Sequence, residues 1–209
     1  MKPFKTVDSN DLAFFESVMP GRVFAGEDIS PDYDHDEMTI YGSYRPEAVL
    51  QALKTEEISA VLKYCNERNI AVTPRGSGTG LCGGCVPKDG GVVLSTEKMK
   101  KVLEVDAKNM TATVEPGVLL MEFPKSLEGT GLFYPPDPGE KTATMGGNAM
   151  TNAGGMRAVR YGVTRDYVLG MEVVLANGDV LHLGGKNVKT SSGYSLIDLM
   201  VGSEGTLGF

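Results

Sequence analysis

Apolar positions along the chain follow two periods, and the elements can be read from where each applies. Residues 10–19 carry helical spacing and are closed by Pro20-Gly21, which predicts a helix there. Ala48-Val49-Leu50 reads as a strand. Thr55 stands where it can cap a helix, with Glu56 and Glu57 in the first turn at the positive end of the dipole. Ile58, Val61, Leu62 and Cys65 then recur at i, i+3, i+4 and i+7 and form one apolar helical face. Residues 70–73 are a short buried-type strand running into a glycine-rich loop, and residues 92–94 are the next strand. This β-α-β-loop-β order predicts a small α+β lobe. Downstream, 102–105 and 111–114 flank a turn at 107–109 and predict a hairpin. A helix is expected near 119–127. Residues 171–175 and 180–183 flank Asn177-Gly178, the strongest short-range hairpin dipeptide, and a last helix is expected at 196–201. The reading is a lead-in over residues 1–40, a small lobe over about 41–100 and a larger lobe over about 101–209, with the lobes joined near 95–101.

Charge and composition remove several classes of function. Of 209 residues, 20 are Lys or Arg and 27 are Asp or Glu, for a net charge of −7. The basic residues are scattered, which argues against a nucleic-acid partner. No apolar run approaches the roughly 18 residues of a membrane span. Met1-Lys2-Pro3-Phe4-Lys5 leads into polar sequence and not into a signal-peptide core. Three cysteines give no disulfide framework, as expected of a reducing compartment. The expectation is a cytoplasmic, soluble, mildly acidic protein. The acidic run Asp32-Tyr33-Asp34-His35-Asp36-Glu37 is read as a solvated loop, since one His among carboxylates does not define a metal geometry.

Glycine adds the chemistry. Twelve of the 27 glycines fall in two windows, 76–91 and 146–162. The first, Pro74-Arg75-Gly76-Ser77-Gly78-Thr79-Gly80-Leu81-Cys82-Gly83-Gly84, directly follows a strand. Such a loop lets backbone N–H groups converge on an oxygen-rich anion such as a pyrophosphate. Residues 78–83 match the G-x-G-x-x-G string, but Gly84 to Gly91 cannot open the helix that a Rossmann site requires, and no Gly-Lys-Ser/Thr completes a P-loop. Cys82-Gly83-Gly84-Cys85 is a Cys-x-x-Cys without a second ligand pair, so it is read as small packing residues with no metal. The second window follows the rigid Tyr134-Pro135-Pro136-Asp137-Pro138-Gly139 and runs through Thr144-Met145-Gly146-Gly147-Asn148-Ala149-Met150-Thr151-Asn152-Ala153-Gly154-Gly155 to Arg160-Tyr161-Gly162-Val163-Thr164-Arg165-Asp166. Its amides and hydroxyls suit a polar planar ring bonded along its edge.

These stretches, with the terminal Val201-Gly202-Ser203-Glu204-Gly205-Thr206-Leu207-Gly208, occur in the same order in another group of proteins. Over roughly residues 35–209 the chain resembles FAD-linked oxidases of the vanillyl-alcohol oxidase / p-cresol methylhydroxylase (PCMH) type, nearest the branch of glycolate oxidase FAD subunits and D-lactate dehydrogenases. The resemblance implies a two-lobed α+β FAD-binding domain over 41–209, with the cofactor between the lobes. It implies that Pro74, Arg75, Gly76, Ser77, Gly78, Thr79, Gly80 and Leu81 cradle the pyrophosphate. Pro135, Thr144, Gly146, Gly147, Asn148, Thr151, Asn152, Gly154 and Gly155 would line the ribityl and isoalloxazine side, with Gly162, Glu204 and Gly205 towards the adenosine. The first loop has no His of the kind that tethers flavin in some relatives, so a non-covalent FAD is implied.

The implied activity is oxidation of a small 2-hydroxy acid by hydride transfer to FAD, with iron–sulfur or electron-transfer flavoprotein subunits as partners. No catalytic base is identified: the only histidines are His35 and His182, and neither lies in a matching motif. Relatives of this type carry a C-terminal cap domain for substrate, and the chain is read as a fragment without it, truncated at the end of the larger lobe and inactive alone. The other reading is a non-catalytic flavin-binding module of a larger redox complex.

Overall fold

The computed structural model describes residues 4–209, so Met1-Lys2-Pro3, part of the N-terminal leader reading, lies outside it. The first lobe is built from α1 (Ser9–Val18), β1 (Val23–Ala25), β2 (Ala48–Gln51), α2 (Thr55–Arg68), β3 (Val72–Arg75) and β4 (Val92–Ser95). The strands form one sheet in the order β1-β2-β4-β3. β2 and β3 both run parallel to β4, so Gln51, Arg75 and Ser95 end level with one another, and β1 closes the other edge antiparallel to β2. β1 has only three residues and was not visible as a strand in the sequence.

Strand alternation divides the sheet into two apolar faces. Ala48, Leu50, Val92 and Leu94 pack with Phe15 and Met19 of α1 and with Ile58, Val61, Leu62 and Cys65 of α2. Val49 and Val93 face the other way, against Ile29, Phe24 and Tyr33. α1 starts at a capping box, in which the Asp8 carboxylate accepts from the N–H groups of Asn10 and Asp11 and the Asp11 carboxylate accepts from Asp8 N–H.

Thr55 does not cap α2. Lys54 holds the N-cap position without a side-chain bond, and Thr55 is the first helical residue. Glu57 satisfies that end instead, accepting from Leu53 N–H at 2.9 Å while its two oxygens take both arms of Arg22 at 2.8 and 2.7 Å. Burial raises the Glu57 pKa, but Arg22 and the Leu53 N–H outweigh it and hold the carboxyl below its usual range. A carboxyl depressed in the fold contributes stability above its unfolded pKa and loses it as the pH falls through the folded value. Glu57→Ala should therefore cost about 3 kcal/mol at pH 7 by leaving the Arg22 charge with only the Gln51 carbonyl as partner. In urea denaturation the gap to the parent should narrow below about pH 4.

The second lobe pairs β5 (Val102–Asp106) with β6 (Thr111–Val114), and β7 (Gly170–Val174) with β8 (Val180–Gly184), both as antiparallel hairpins. Gly178 takes φ +87°, the conformation its turn demands. The helix expected at 119–127 is reduced to a 3-10 turn over Phe123–Leu127. Leu119 pairs with Thr144 and Leu120 N–H donates to Ala143, while Pro124 removes a donor that a helix would need. The second glycine window, read as a loop, holds α3 (Met145–Thr151) and the single turn α4 (Ala158–Tyr161), and α5 (Leu196–Met200) follows. The β7–β8 hairpin docks on α2, where Ser59 Oγ donates to Gly178 O at 2.5 Å. Val174 of β7 joins the α1–α2 core, and Phe209 packs against that core while exchanging two backbone bonds with Val174. Among the described residues no helix is long and apolar enough to cross a membrane.

Candidate cofactor site

The first glycine loop leaves the carboxyl end of β3, where ligands sit in open parallel sheets. The Arg75 side chain is buried and committed to the protein: Nη1 donates to His35 O at 2.8 Å, Nη2 donates to Asp32 O, and the guanidinium stacks 5.4 Å from the Tyr33 ring centroid. Its contribution to the site is therefore to fasten the loop to residues 32–35. Gly78 lies so close over it, at φ +80°, that a Cβ there would overlap the guanidinium. The acidic run is not wholly solvated as expected, because Asp36 is 3% exposed and accepts from Gly83 N–H at 2.7 Å and Met38 N–H at 2.9 Å. Asp36 thus holds the far end of the glycine loop, a role that no periodicity in the sequence announces.

Between these two anchors the N–H groups of residues 76–82 donate to no acceptor among the described residues. Ser77 Oγ and Thr79 Oγ1 lie 3.4 Å apart on the exposed side, Gly80 O accepts from Glu37 N–H, and Leu81 is exposed. Successive undirected N–H groups on a glycine-rich turn form a cradle for an anion.

Thr144 joins this loop to the second window. Its hydroxyl caps α3 by accepting from Gly147 N–H at 3.1 Å, and it lies so close to Gly76 that a Cβ there would overlap it. Gly146 is required by an equally close neighbour, Pro116 Cβ, 2.6 Å from where its Cβ would stand. Asn148 is 2% exposed, and its Nδ2 has no partner among the described residues. An orphaned buried amide carries a cost of about 1–3 kcal/mol unless a ligand answers it. Thr151 Oγ1 donates back to Gly147 O, and Asn152, left-handed at φ +48°, ends α3 and accepts from Arg165 N–H at 2.9 Å.

The terminal motif closes on both. Glu204 N–H donates to Met150 O at 2.9 Å, Gly202 N–H donates to Ala149 O at 3.0 Å, and Arg165 Nη2 donates to Val201 O at 2.6 Å. A Cβ on Gly205 would stand 2.6 Å from Pro74 Cγ, and one on Gly84 would stand 2.7 Å from Glu204 Oε2. Pro74, Gly76, Thr144, Asn152, Glu204 and Gly205 are therefore drawn into one neighbourhood. Gly154, Gly155 and Gly162 form its outer flank: Gly155 pairs with Pro138, Gly154 lies against Val163, and Gly162 leaves room for Asp166, whose carboxylate accepts from Val163 N–H, while among the described residues no hydrogen bond joins Pro135 to them. Arg165 and Asp36, which hold these segments, were not among the expected site residues.

A cavity of about 510 Å³ is lined by Gly76-Ser77-Gly78 of the first loop together with Gln51, Glu97 and Tyr33. Tyr33 OH donates to Glu97 at 2.8 Å, and burial pushes its pKa up to about 12. Asp28, Asp32, Asp36, Glu37 and Arg75 also stand on its wall. His35 lines the same cavity, and His182 lies on β8, 76% exposed and 3.3 Å from Glu172. Neither histidine stands at the loop junction. Cys82, expected as a packed small residue, is exposed, and only Cys85 is partly covered. Among the described residues no group of three or more His, Cys, Asp and Glu could hold a metal.

Undirected N–H groups and an orphaned buried amide fit a diphosphate-bearing, ring-edged cofactor, and FAD has both parts. Known proteins agree. Residues 46–184 match the model of the FAD binding domain family. The chain is 56% identical over 194 residues to a D-lactate dehydrogenase of Anaerostipes hadrus and 48% identical over 195 residues to the glycolate oxidase subunit GlcD of Bacillus subtilis. These alignments cover 93% of the chain but only 41% and 40% of those relatives, so the chain spans about two fifths of their length. Among solved structures, p-cresol methylhydroxylase superposes with a TM-score of 0.79 at 26% identity, over 99% of this chain and 43% of that one. An alkyldihydroxyacetonephosphate synthase superposes with a TM-score of 0.82 at 22% identity, over 99% of this chain and 43% of that one, and shows the fold alone. The chain belongs to the FAD binding domain family, has the two-lobed α+β fold of the PCMH type, and takes FAD as its cofactor.

Proposed function

We propose that this chain is the cofactor-holding part of an FAD-dependent dehydrogenase for a small 2-hydroxy acid of the D-lactate or glycolate type. The observation that carries the reading is the meeting of Gly76 and Thr144, which sets the anion cradle of one window against the amide-rich helix of the other. The names of the two relatives above supply the substrate class. Bound FAD supplies a hydride acceptor. In this reading the N–H groups of 76–81 hold the diphosphate, Thr144, Asn148 and Asn152 orient the ring edge, and Glu204 and Gly205 close the adenosine end. The absence of a histidine in the first loop supports a non-covalent flavin.

We place the boundary between the lobes near residue 100, with the N-terminal lead-in ending near 40. The proton acceptor and the carboxylate-binding cation are assigned to the part of the relatives' length that this chain does not span. One relative is named as a subunit, which supports an electron-transfer partner, iron–sulfur or flavoprotein, and the odd cysteine count supports a cytoplasmic setting. The test is direct. The 209-residue chain should bind FAD yet give no turnover of D-lactate or glycolate with a dye acceptor, while the complete gene product should oxidise one of them. Turnover by the chain alone would overturn the division of labour, and a complete product inactive on all small 2-hydroxy acids would overturn the substrate class.

A further inference from the structure

We propose that Cys82 and Cys85 form a reversible disulfide that releases the first glycine loop and thereby lowers the affinity for FAD. The two thiols bracket Gly83-Gly84 at the end of the cradle, where neither intervening residue has a side chain of its own and Gly83 bends the chain at φ +75°. No helix or strand crosses residues 76–91, so the segment can move to the geometry a disulfide needs.

The two sulfurs differ in environment. Cys82 is exposed at the surface of the loop. Cys85 is partly covered, its thiol pushed up by burial, and Arg75 Nη1 lies 3.4 Å from its Sγ. Cys82 is therefore the thiol that meets a reagent first, and Cys85 the one that resolves the product. The oxidant is a low-molecular-weight disulfide. Cys82 thiolate attacks one of its sulfurs, forming a mixed disulfide and expelling one thiolate. Cys85, giving up its proton, then attacks Cys82 Sγ and expels the second thiol. The two cysteines lose two electrons and two protons, and the reagent is reduced to two thiols.

The consequence runs through Arg75. The same Nη1 that faces Cys85 Sγ also donates to His35 O, while Nη2 donates to Asp32 O. Gly83, between the thiols, is the residue Asp36 holds, and Gly84 lies against Glu204 of the terminal motif. Drawing Cys85 towards Cys82 removes a neighbour from Arg75 and pulls on both of these attachments. The row of N–H groups over 76–82 then loses its fixed far end. The proposal rests on FAD being held at this loop.

The experiment equilibrates the purified chain with glutathione and glutathione disulfide, then reads two signals. Mass spectrometry of the digested, thiol-blocked chain reports a Cys82–Cys85 link as a loss of two hydrogens, independently of any flavin. FAD fluorescence titration reports affinity before and after oxidation. The expected result is the intramolecular link, at least a tenfold weaker FAD affinity, and full recovery with dithiothreitol. Cys85→Ser should stop at a glutathione adduct on Cys82, and Cys82→Ser should bind FAD equally before and after oxidant. Glutathione carried on Cys82 of the parent with no link, or a link that leaves FAD affinity unchanged, overturns the proposal. A reduced chain that binds no FAD would overturn the loop assignment instead, and the mass signal keeps the two failures apart.

Discussion

Gly76→Val is expected to weaken FAD binding by at least about a hundredfold, or about 2.7 kcal/mol. The reason is steric and local. A Cβ at residue 76 overlaps Thr144 Oγ1, the hydroxyl that also caps α3 through Gly147 N–H. A branched side chain must displace either the first loop or the start of α3, and either movement separates the two halves of the cradle. Gly76 has no left-handed φ, so the cost comes from that overlap and not from backbone strain, and a stability loss of about 1–3 kcal/mol is expected beside the loss of affinity. Gly139→Ala is the matched control, since nothing lies within 4 Å of its Cβ position and its φ is ordinary. Flavin fluorescence quenching measures both. Equal affinity in the valine variant and the parent would show that FAD does not need the two loops in contact.

The largest loss of stability is expected from Asp11→Ala, about 4 kcal/mol in chemical denaturation. Asp11 is fully buried, and the groups around it are cationic or donating: Lys5 Nζ, Arg68 Nε 2.7 Å away, Tyr64 OH at 2.9 Å and Asp8 N–H at 2.9 Å. Tyr64 is itself fixed by stacking on Phe14, with centroids 3.8 Å apart. Burial raises the pKa of Asp11, but Lys5, Asp8 N–H and Tyr64 together hold it below its usual value. By the sign of that shift, its contribution is complete above about pH 4 and fades as the carboxyl protonates below it. Removing it leaves Tyr64 OH and Asp8 N–H without their acceptor next to the core. A loss under about 1 kcal/mol would mean that Lys5 and Arg68 regain water as easily as they left it.

What the sequence disclosed of this architecture depended on how each element is stabilised. β2, β4 and the apolar stripe of α2 are buried through their own side chains, so periodicity located them within a residue or two. The β7–β8 hairpin was legible because Asn177-Gly178 encodes its turn. α3 was hidden, since Met145-Gly146-Gly147-Asn148 has poor helix propensity; Gly146 is set by Pro116, which only the folded chain brings near. The 119–127 error has the reverse cause, in that an apolar run with helical spacing spends its first residues pairing with 143–144. In the site, the glycines and amides were recognisable as a motif. Arg75 belonged to that motif, but its use as an anchor for residues 32–35 is a tertiary fact, and so are the roles of Asp36 and Arg165.

The docking of the β7–β8 hairpin on α2 bears on how the molecule comes apart. Val174 belongs to the same apolar cluster as Phe15, Leu50 and Val61, and Ser59 is fastened to the hairpin turn. The hairpin thus shares the first lobe's core and should lose its structure in the same cooperative step, whereas Val118, Phe123 and Leu127 centre a separate cluster with β5 and β6. Whatever free energy FAD releases on the first loop is then lent to every element of that shared core, including a hairpin that never touches the loop.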